Sequence, residues 1–342
     1  MKVLFIGGTG IISTACTALA AERGIDLTLL RRGARAAEIP AGVRTLAADI
    51  ADEAAVAKIL GREQFDAVVD WVAFKPAEIE RDIRLFRGRT SQFVFISSAS
   101  AYQKPVGHYW ITESTPLANP YWQYSRDKIA CEERLTRAYR DEGFPITIVR
   151  PSHTYGDTQI PLAVNSWLKP YTAVNRLRQG KKLILPGDGT SLWVVTHNSD
   201  FAVGLVGLLG HCQAIGHAFH ITSDEVLTWN QITTIVAEAA GAAPAIIHIP
   251  ADFVGACIAD EVGGLTGDKS NSVVFDNTKI KRFVPEFGAR VRFAEGIRRT
   301  ISWFDADPAR REVDVEADAA WDRLIAAYER GLEGALRSFR TN

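Results

Sequence analysis

Several things are scarce in this chain, and each shortage excludes a class of protein. Four cysteines occur in 342 residues, at Cys16, Cys131, Cys212 and Cys257, with no C-x-x-C pair. A disulfide framework or a zinc site wants close pairs, so buried free thiols in a reducing compartment are expected instead. The formal charge is −1. No net positive field draws the surface as a whole toward nucleic acid or anionic lipid, and neither is an expected partner. No uninterrupted apolar run approaches the ~20 residues that span a bilayer. The first residues, Lys2-Val3-Leu4-Phe5-Ile6, read as a strand running straight into glycines, whereas a secretory signal would need a longer apolar stretch and a cleavage site, so none is expected. Internal repeats and low-complexity tracts are missing as well. A soluble, cytoplasmic protein is the expectation.

What the chain does have is core. Apolar residues make up 47% of it, enough at this length for one large α/β domain or two unequal ones. Val3–Ile6, Leu27–Leu30, Ala67–Val72, Phe93–Ser97 and Ile146–Val149 are near-continuously apolar, as strands buried on both faces are, and Val43–Ala47 is a weaker sixth. Helical segments alternate with them: Ser13–Arg23, Glu53–Leu60, Ile79–Phe86 and Ser125–Glu142. Such alternation predicts a doubly wound parallel sheet of the Rossmann type, covered by helices on both faces. After Pro151 the rhythm breaks. Pro, Gly and aromatics become frequent, His217–Ile221 reads as one more strand, and Thr228-Trp229-Asn230-Gln231 has the spacing of a helix-capping box. Amphipathic helices follow near Phe293–Phe304 and Val315–Leu336, the last charged and expected on the surface. The expected organisation is a dinucleotide-binding domain over residues 1–150 and a smaller, mainly substrate-binding α/β part over 151–342, with some segments returning to the first.

Strand one runs into Gly7-Gly8-Thr9-Gly10-Ile11-Ile12-Ser13. Glycines there turn the chain tightly and let backbone N–H groups approach a pyrophosphate at the following helix N-terminus. Ser13 stands where a third glycine is usual, and its hydroxymethyl group is expected to loosen the packing of helix on strand. About twenty residues on, an NAD enzyme offers a carboxylate to the adenosine ribose, but here the second strand ends Arg31-Arg32-Gly33. Guanidinium groups can clamp a 2′-phosphate in forked geometry, so NADP(H) is favoured over NAD(H); two solvated turn arginines are the alternative. Asp49-Ile50, after the third strand, is placed to contact adenine.

Tyr124 and Lys128 form a Y-x-x-x-K pair. Four residues apart on a helix, they share a face, and the ammonium is expected to lower the phenol's pKa for acid/base work. Ser97 and Ser98 end a central strand, where doubly wound sheets bind ligands, and a hydroxyl there can meet a substrate carbonyl. A strand-end serine can also be a simple turn former. His217 and His220, three apart on a strand, face opposite sides, so no metal site is expected.

The ordered set Gly7-Gly8-Thr9-Gly10, Asp49-Ile50, Ser97-Ser98-Ala99-Ser100-Ala101-Tyr102, Tyr124…Lys128 and Arg150-Pro151 resembles the extended short-chain dehydrogenase/reductase family, also called the NAD-dependent epimerase/dehydratase family. The resemblance implies that Ser98 is the catalytic serine, Tyr124 the acid/base, and Lys128 a second-role residue that also holds the nicotinamide ribose. It further implies that Lys75 touches the cofactor pyrophosphate and that Pro151 and His153 lie by the nicotinamide; a structural histidine is the alternative. Arg31 falls where such enzymes carry their ribose-binding aspartate. Gly187-Asp188-Gly189 followed by Asp200 is similar to the family's substrate-domain pattern. Members acting on nucleotide sugars carry an arginine four residues after that motif to grip the diphosphate; here the position is Trp193. Tryptophan cannot make a bidentate bond to phosphate, though it can stack on a sugar face, so Trp193 joins Ser98 and Tyr124 as a substrate candidate. Trp110, Tyr121, Trp122 and Trp167 can add aromatic wall or simply core.

Two readings follow. The first is an NAD(P)-dependent oxidoreductase or epimerase moving a hydride to or from a carbonyl or carbinol carbon of a small, sugar-like molecule, with a homodimer compatible with the family. The second is an RNA-binding or regulatory protein of the same fold, since residues Phe219–Ile232 are similar to the branch holding chloroplast stem-loop-binding proteins. Near-neutral charge and a complete Ser–Tyr–Lys set favour the enzyme.

Overall fold

The apolar run Lys2–Ile6 forms β1 of a computed structural model that describes residues 1–33 and 38–340. Around it the first unit assembles from α1 (Ile11–Glu22), β2 (Asp26–Arg31), β3 (Arg44–Ala47), α2 (Glu53–Leu60), β4 (Ala67–Asp70), α3 (Pro76–Phe86), β5 (Phe93–Ile96) and α4 (Gln123–Glu142). Strands Ile146–Pro151 and Ala218–Ile221 complete a seven-stranded sheet. Its order is Ala218–Ile221, Ile146–Pro151, β5, β4, β1, β2, β3, and every pairing in it is parallel. This is the doubly wound Rossmann-type sheet that the strand–helix alternation predicts. The order reverses between β1 and β4, so their carboxyl ends bound the crevice where ligands of such sheets bind.

Burial explains why these segments are strands. Val3, Leu4, Phe5, Val68, Val69, Phe93, Val94 and Phe95 are wholly inaccessible. Alternate residues serve two cores, Val3, Phe5 and Val69 on one face of the sheet and Leu4, Val68 and Phe93 on the other. Burying each such side chain contributes about 1.5–3 kcal/mol. β4 is shorter than the apolar run suggests, because the Asp70 carboxylate accepts the N–H groups of Val72 and Ala73 and turns the chain. The helix Asn198–Leu208 gives no periodic signal, being apolar all round. Its glycines set its packing instead: a Cβ at Gly204 would stand 2.7 Å from Ile221 Cγ2, and one at Gly207 2.3 Å from Val284 Cγ1.

The chain divides into two compact units. One holds Met1–Tyr155, Val194–Asp224 and Val274–Val291; the other holds Gly156–Trp193, Glu225–Val273 and Arg292–Asn342. In the second unit Leu183–Pro186 pairs with Ile246–Ile249, and Leu192–Trp193 with Leu227–Thr228. Thr228 and Gln231 form the expected capping box at the start of helix Trp229–Ala239. The final helix, Val315–Arg340, is less exposed than its charge suggests. Trp321, Leu324 and Ile325 bury in a core with Val164, Ile184, Ile249 and Leu265. Among the described residues no helix is long and apolar enough to cross a membrane.

Candidate active site

The glycine turn after β1 carries φ of +100° at Gly7 and +104° at Gly8, a region open in practice to glycine alone. A Cβ at Gly8 would lie 2.7 Å from Leu29 Cδ2, so the turn can sit this close to β2 only without side chains. Gly10 then caps α1 in extended conformation. Ser13 does not loosen the packing. It is buried, and its Oγ accepts the Gly10 N–H at 2.8 Å. Thr17 ties the turn from inside by donating to Gly8 O, and Asn198 holds its far side by donating to Ile11 O at 2.8 Å. The cradle is thus braced by hydrogen bonds, and Thr9, Ile11 and Ile12 at the helix start are only partly buried, which fits the pyrophosphate of a dinucleotide.

Lys128 lies one turn along α4 from Tyr124 and is 2% exposed. Its Nζ donates to Ala73 O at 2.7 Å and to Ile96 O at 2.8 Å, at the carboxyl ends of β4 and β5. It also lies 4.4 Å from the Phe74 ring centre and 4.8 Å from that of Phe95. Desolvation lowers its pKa to about 8, opposed chiefly by the charge of Asp70. The Tyr124 ring is partly exposed between Trp122, at 4.9 Å, and Phe74, at 6.1 Å between ring centres.

Ser98 is reached through hydroxyls that sequence reasoning missed. Its Oγ accepts the Ser100 N–H and lies 2.9 Å from Ser100 Oγ, which accepts from Ser125 Oγ at 2.8 Å. Ser125 neighbours Tyr124 on α4, so this chain joins the strand-end serine to the helix that presents the phenol. The repeated small polar residues of Ser97-Ser98-Ala99-Ser100 and of Tyr124-Ser125 were the available signal. Ser97 serves elsewhere, donating to Glu132, which holds Arg150 through Nε and Nη2. Arg150 in turn donates to Tyr102 Oη, which lies 3.0 Å from His220 Nδ1. This buried network clamps β5, α4 and the Ile146–Pro151 strand together, and removing either Glu132 or Arg150 would cost about 3–5 kcal/mol. His220 thereby acts in the core, bonded also to Asp276 O, while His217 packs beside Phe219 and Phe283.

The other candidates lie on several separate elements. Arg31 ends β2 and is partly buried, whereas the Arg32 side chain is 73% exposed and 3.9 Å from Asp49. Ile50 is partly buried beside Asp49. Lys75 caps α3 with an exposed side chain, its N–H accepted by Glu78. Pro151 is the last residue of its strand, and His153 starts the strand His153–Tyr155, which pairs with Val195–His197. Trp193 belongs to the second unit. It is 2% exposed, with its ring 5.3 Å from that of Trp229. Trp110, Tyr121 and Trp167 are exposed. Among the described residues no three His, Cys, Asp or Glu side chains are grouped to hold a metal ion.

A model of the NAD dependent epimerase/dehydratase family matches residues 3–222. The chain is 28% identical over 295 residues to the 2'-dehydrokanamycin reductase of Streptomyces kanamyceticus, covering 85% of this chain and 81% of that protein. It is 24% identical to the chloroplast stem-loop binding protein of 41 kDa b from Arabidopsis thaliana, over 74% of this chain and 67% of that one. Among solved structures, UDP-glucuronic acid 4-epimerase from Bacillus cereus, in complex with UDP-glucuronic acid and NAD, matches with a TM-score of 0.71 at 17% identity. That match covers 90% of this chain and 99% of the other, and it concerns the fold.

Proposed function

The chain belongs to the NAD dependent epimerase/dehydratase family, and from that premise we propose an NAD(P)-dependent oxidoreductase or epimerase acting on a small, sugar-like substrate. It is an enzyme of the extended short-chain dehydrogenase/reductase type. One observation carries the reading of the site: a lysine almost wholly buried, held by two carbonyls at the ends of β4 and β5, one helical turn from a partly exposed tyrosine. Burying an ammonium is costly, and such groups cluster where chemistry needs them.

In this reading the glycine turn with Thr9, Ile11 and Ile12 receives the pyrophosphate, and Lys75 adds a cation to it. Arg31 and Arg32 take the adenosine end with Asp49 and Ile50, and prefer a 2′-phosphate. Pro151 and His153 border the nicotinamide, which supplies or accepts the hydride when bound. Tyr124 passes a proton to the substrate oxygen in reduction and takes it back in oxidation. Ser98 donates a hydrogen bond to the same oxygen. Lys128 favours the phenolate electrostatically and holds the ribose. The second unit supplies the substrate-binding part. The relative named as a reductase, matched over 81% of its length, makes net reduction of a keto group the first activity to assay.

The test is NADPH and NADH oxidation against a panel of keto sugars, with cofactor affinity measured separately by fluorescence. Tyr124→Phe is expected to lose turnover and keep cofactor binding, and Lys128→Ala to damage both. Wild-type rates in Tyr124→Phe would refute the assignment. The RNA-binding reading is tested alongside: tight, salt-sensitive binding of a stem-loop RNA with no cofactor bound would replace the enzyme.

A further inference from the structure

Two buried carboxyl groups share Arg81, whose Nη2 lies 2.8 Å from Asp82 Oδ1, and the chemistry above uses neither. Asp70 ends β4 and Asp82 lies on α3; both are wholly inaccessible. Asp70 Oδ1 accepts the N–H of Val72 at 2.6 Å and of Ala73 at 3.0 Å. The carbonyl of that same Ala73 receives the Lys128 ammonium. Asp82 Oδ1 accepts from Arg81 Nε at 2.9 Å, and Arg81 Nη2 lies 3.8 Å from Asp70 Oδ2. The Oδ2 atoms of both aspartates lack any ordinary hydrogen-bond donor. One guanidinium therefore stands between two buried carboxyls.

We propose that Asp70 is a positioning residue for Lys128: its carboxylate fixes the turn that presents Ala73 O and supplies the negative charge that keeps the buried ammonium charged, while Asp82 stays neutral and hydrogen-bonds Asp70. The inference rests on the reading of Lys128 given above. Burial first, then the Asp70 charge and a hydrogen bond between the two carboxyls, push Asp82 well above the carboxylate range. A proton on Asp82 turns the two orphan oxygens into a donor–acceptor pair, as expected where two carboxyls share one site.

The other groups facing Lys128 are poorer counter-charges. Glu78 on α3 turns its carboxylate to the N–H groups of Phe74 and Lys75. Glu132 on α4 is committed to Arg150 and Ser97. Burial pushes the Cys131 thiol up to about 12, so it stays neutral. The phenol of Tyr124 and the rings of Phe74 and Phe95 complete the surroundings. Among the described residues no carboxylate lies within ion-pair distance of Nζ, so the charge acts through space and through the 70–73 turn.

The measurement is the titration of the Lys128 side chain in the full-length protein labelled with 13Cε-lysine, its signal identified by loss in Lys128→Arg. The wild-type midpoint is expected at about 8. Asp70→Asn keeps an acceptor for the Val72 and Ala73 N–H groups but removes the charge, so the midpoint should fall by about one to three units. Asp82→Asn replaces a neutral group by a neutral one, so the midpoint should move by less than about half a unit. An unmoved midpoint in Asp70→Asn, or an equal fall in Asp82→Asn, overturns the proposal; the second arm stands even where Asp70→Asn does not fold. Cofactor titration of Lys128→Ala separates the two claims. Unchanged NADPH and NADH affinity there would sink the role of Lys128 while leaving its coupling to Asp70 to be read from the midpoints.

Discussion

UDP and UDP-glucose should bind this protein weakly, at about 0.2 mM or above, and the structure supplies the reason. A nucleotide diphosphate leaves water only where charge-assisted donors replace its hydration, each such bond being worth about 1.5–3 kcal/mol. A missing two-bond clamp therefore costs about 3–6 kcal/mol, and micromolar binding, near −8 kcal/mol, falls to between about 0.2 mM and about 20 mM. At the position that would carry the clamp stands Trp193, buried against Trp229. The cations of the preceding segment, Arg176, Arg178, Lys181 and Lys182, are all paired inside their own unit. Arg176 is 1% exposed and pairs with Asp318 at 2.5 Å and Asp322 at 2.9 Å. Both those carboxylates also take Lys181 at 2.7 Å. Arg178 makes two 2.7 Å bonds to Asp305, and Lys182 pairs with Glu329. Pulling Arg176 away to serve a phosphate would break a buried pair at about 3–5 kcal/mol, cancelling what the phosphate returns. Calorimetry decides the matter. Micromolar binding of either nucleotide that disappears in Arg176→Ala, Arg178→Ala, Lys181→Ala or Lys182→Ala would refute this reasoning. An uncharged sugar or sugar-derived ketone is the substrate class that the same reasoning favours.

Three further outcomes are expected. Arg31→Asp should reverse the preference for NADPH over NADH; equal affinities for both dinucleotides in both proteins would show the arginines to be merely solvated. Gly8→Ala should lower stability by about 1–3 kcal/mol and abolish cofactor binding, because φ there is +104° and the new Cβ meets Leu29; normal NADPH titration of that variant would contradict the role given to the turn. Glu63 is held down to about 2, first by its hydrogen bond with Arg44 and then by Lys2. A depressed carboxyl stabilises the fold above its unfolded value near 4.5 and loses that contribution as pH falls toward 2. Glu63→Gln should thus lower stability at pH 6 by about 0.5–1 kcal/mol after screening at this partly exposed site, read as a lower Tm, and should converge with wild type near pH 2. A constant Tm difference from pH 6 to pH 2 would contradict it.

How much of this was legible in the sequence depends on the physical signal each part leaves. Sheet strands buried on both faces write continuous apolar runs, so six of the seven strands could be read with errors only at their ends, while the largely exposed edge strand β3 left the weaker signal. β4 ended early because a polar residue, Asp70, turned the chain within an apolar run. The helix Asn198–Leu208 was invisible because two glycines and apolar residues on every side leave no stripe. The cofactor turn was legible because only glycine tolerates its backbone, although sequence gave Ser13 the wrong effect. A hydroxyl adds volume on paper, but here it takes up an N–H of the turn itself.

The site shows the deeper limit. Tyr124 and Lys128 could be paired from spacing because helix geometry alone puts them on one face. What surrounds Lys128 could not, because Asp70 lies 58 positions away and Asp82 46, counted from their numbers, and no periodicity links residues on different elements. A buried charge leaves no local pattern; only the folded chain shows that Ala73 O, fixed by Asp70, and Ile96 O converge on one ammonium. The same holds for Arg176. In the sequence it is one of four cations in seven residues, open to any anion, and its partners Asp318 and Asp322 arrive on a helix some 140 residues later. Spacing therefore identifies the groups that can react, whereas the groups that set their charge are chosen by tertiary packing. The proposed preference for an uncharged substrate rests on the second kind as much as the first: to hold a diphosphate, Arg176 would have to leave a buried pair inside its own unit.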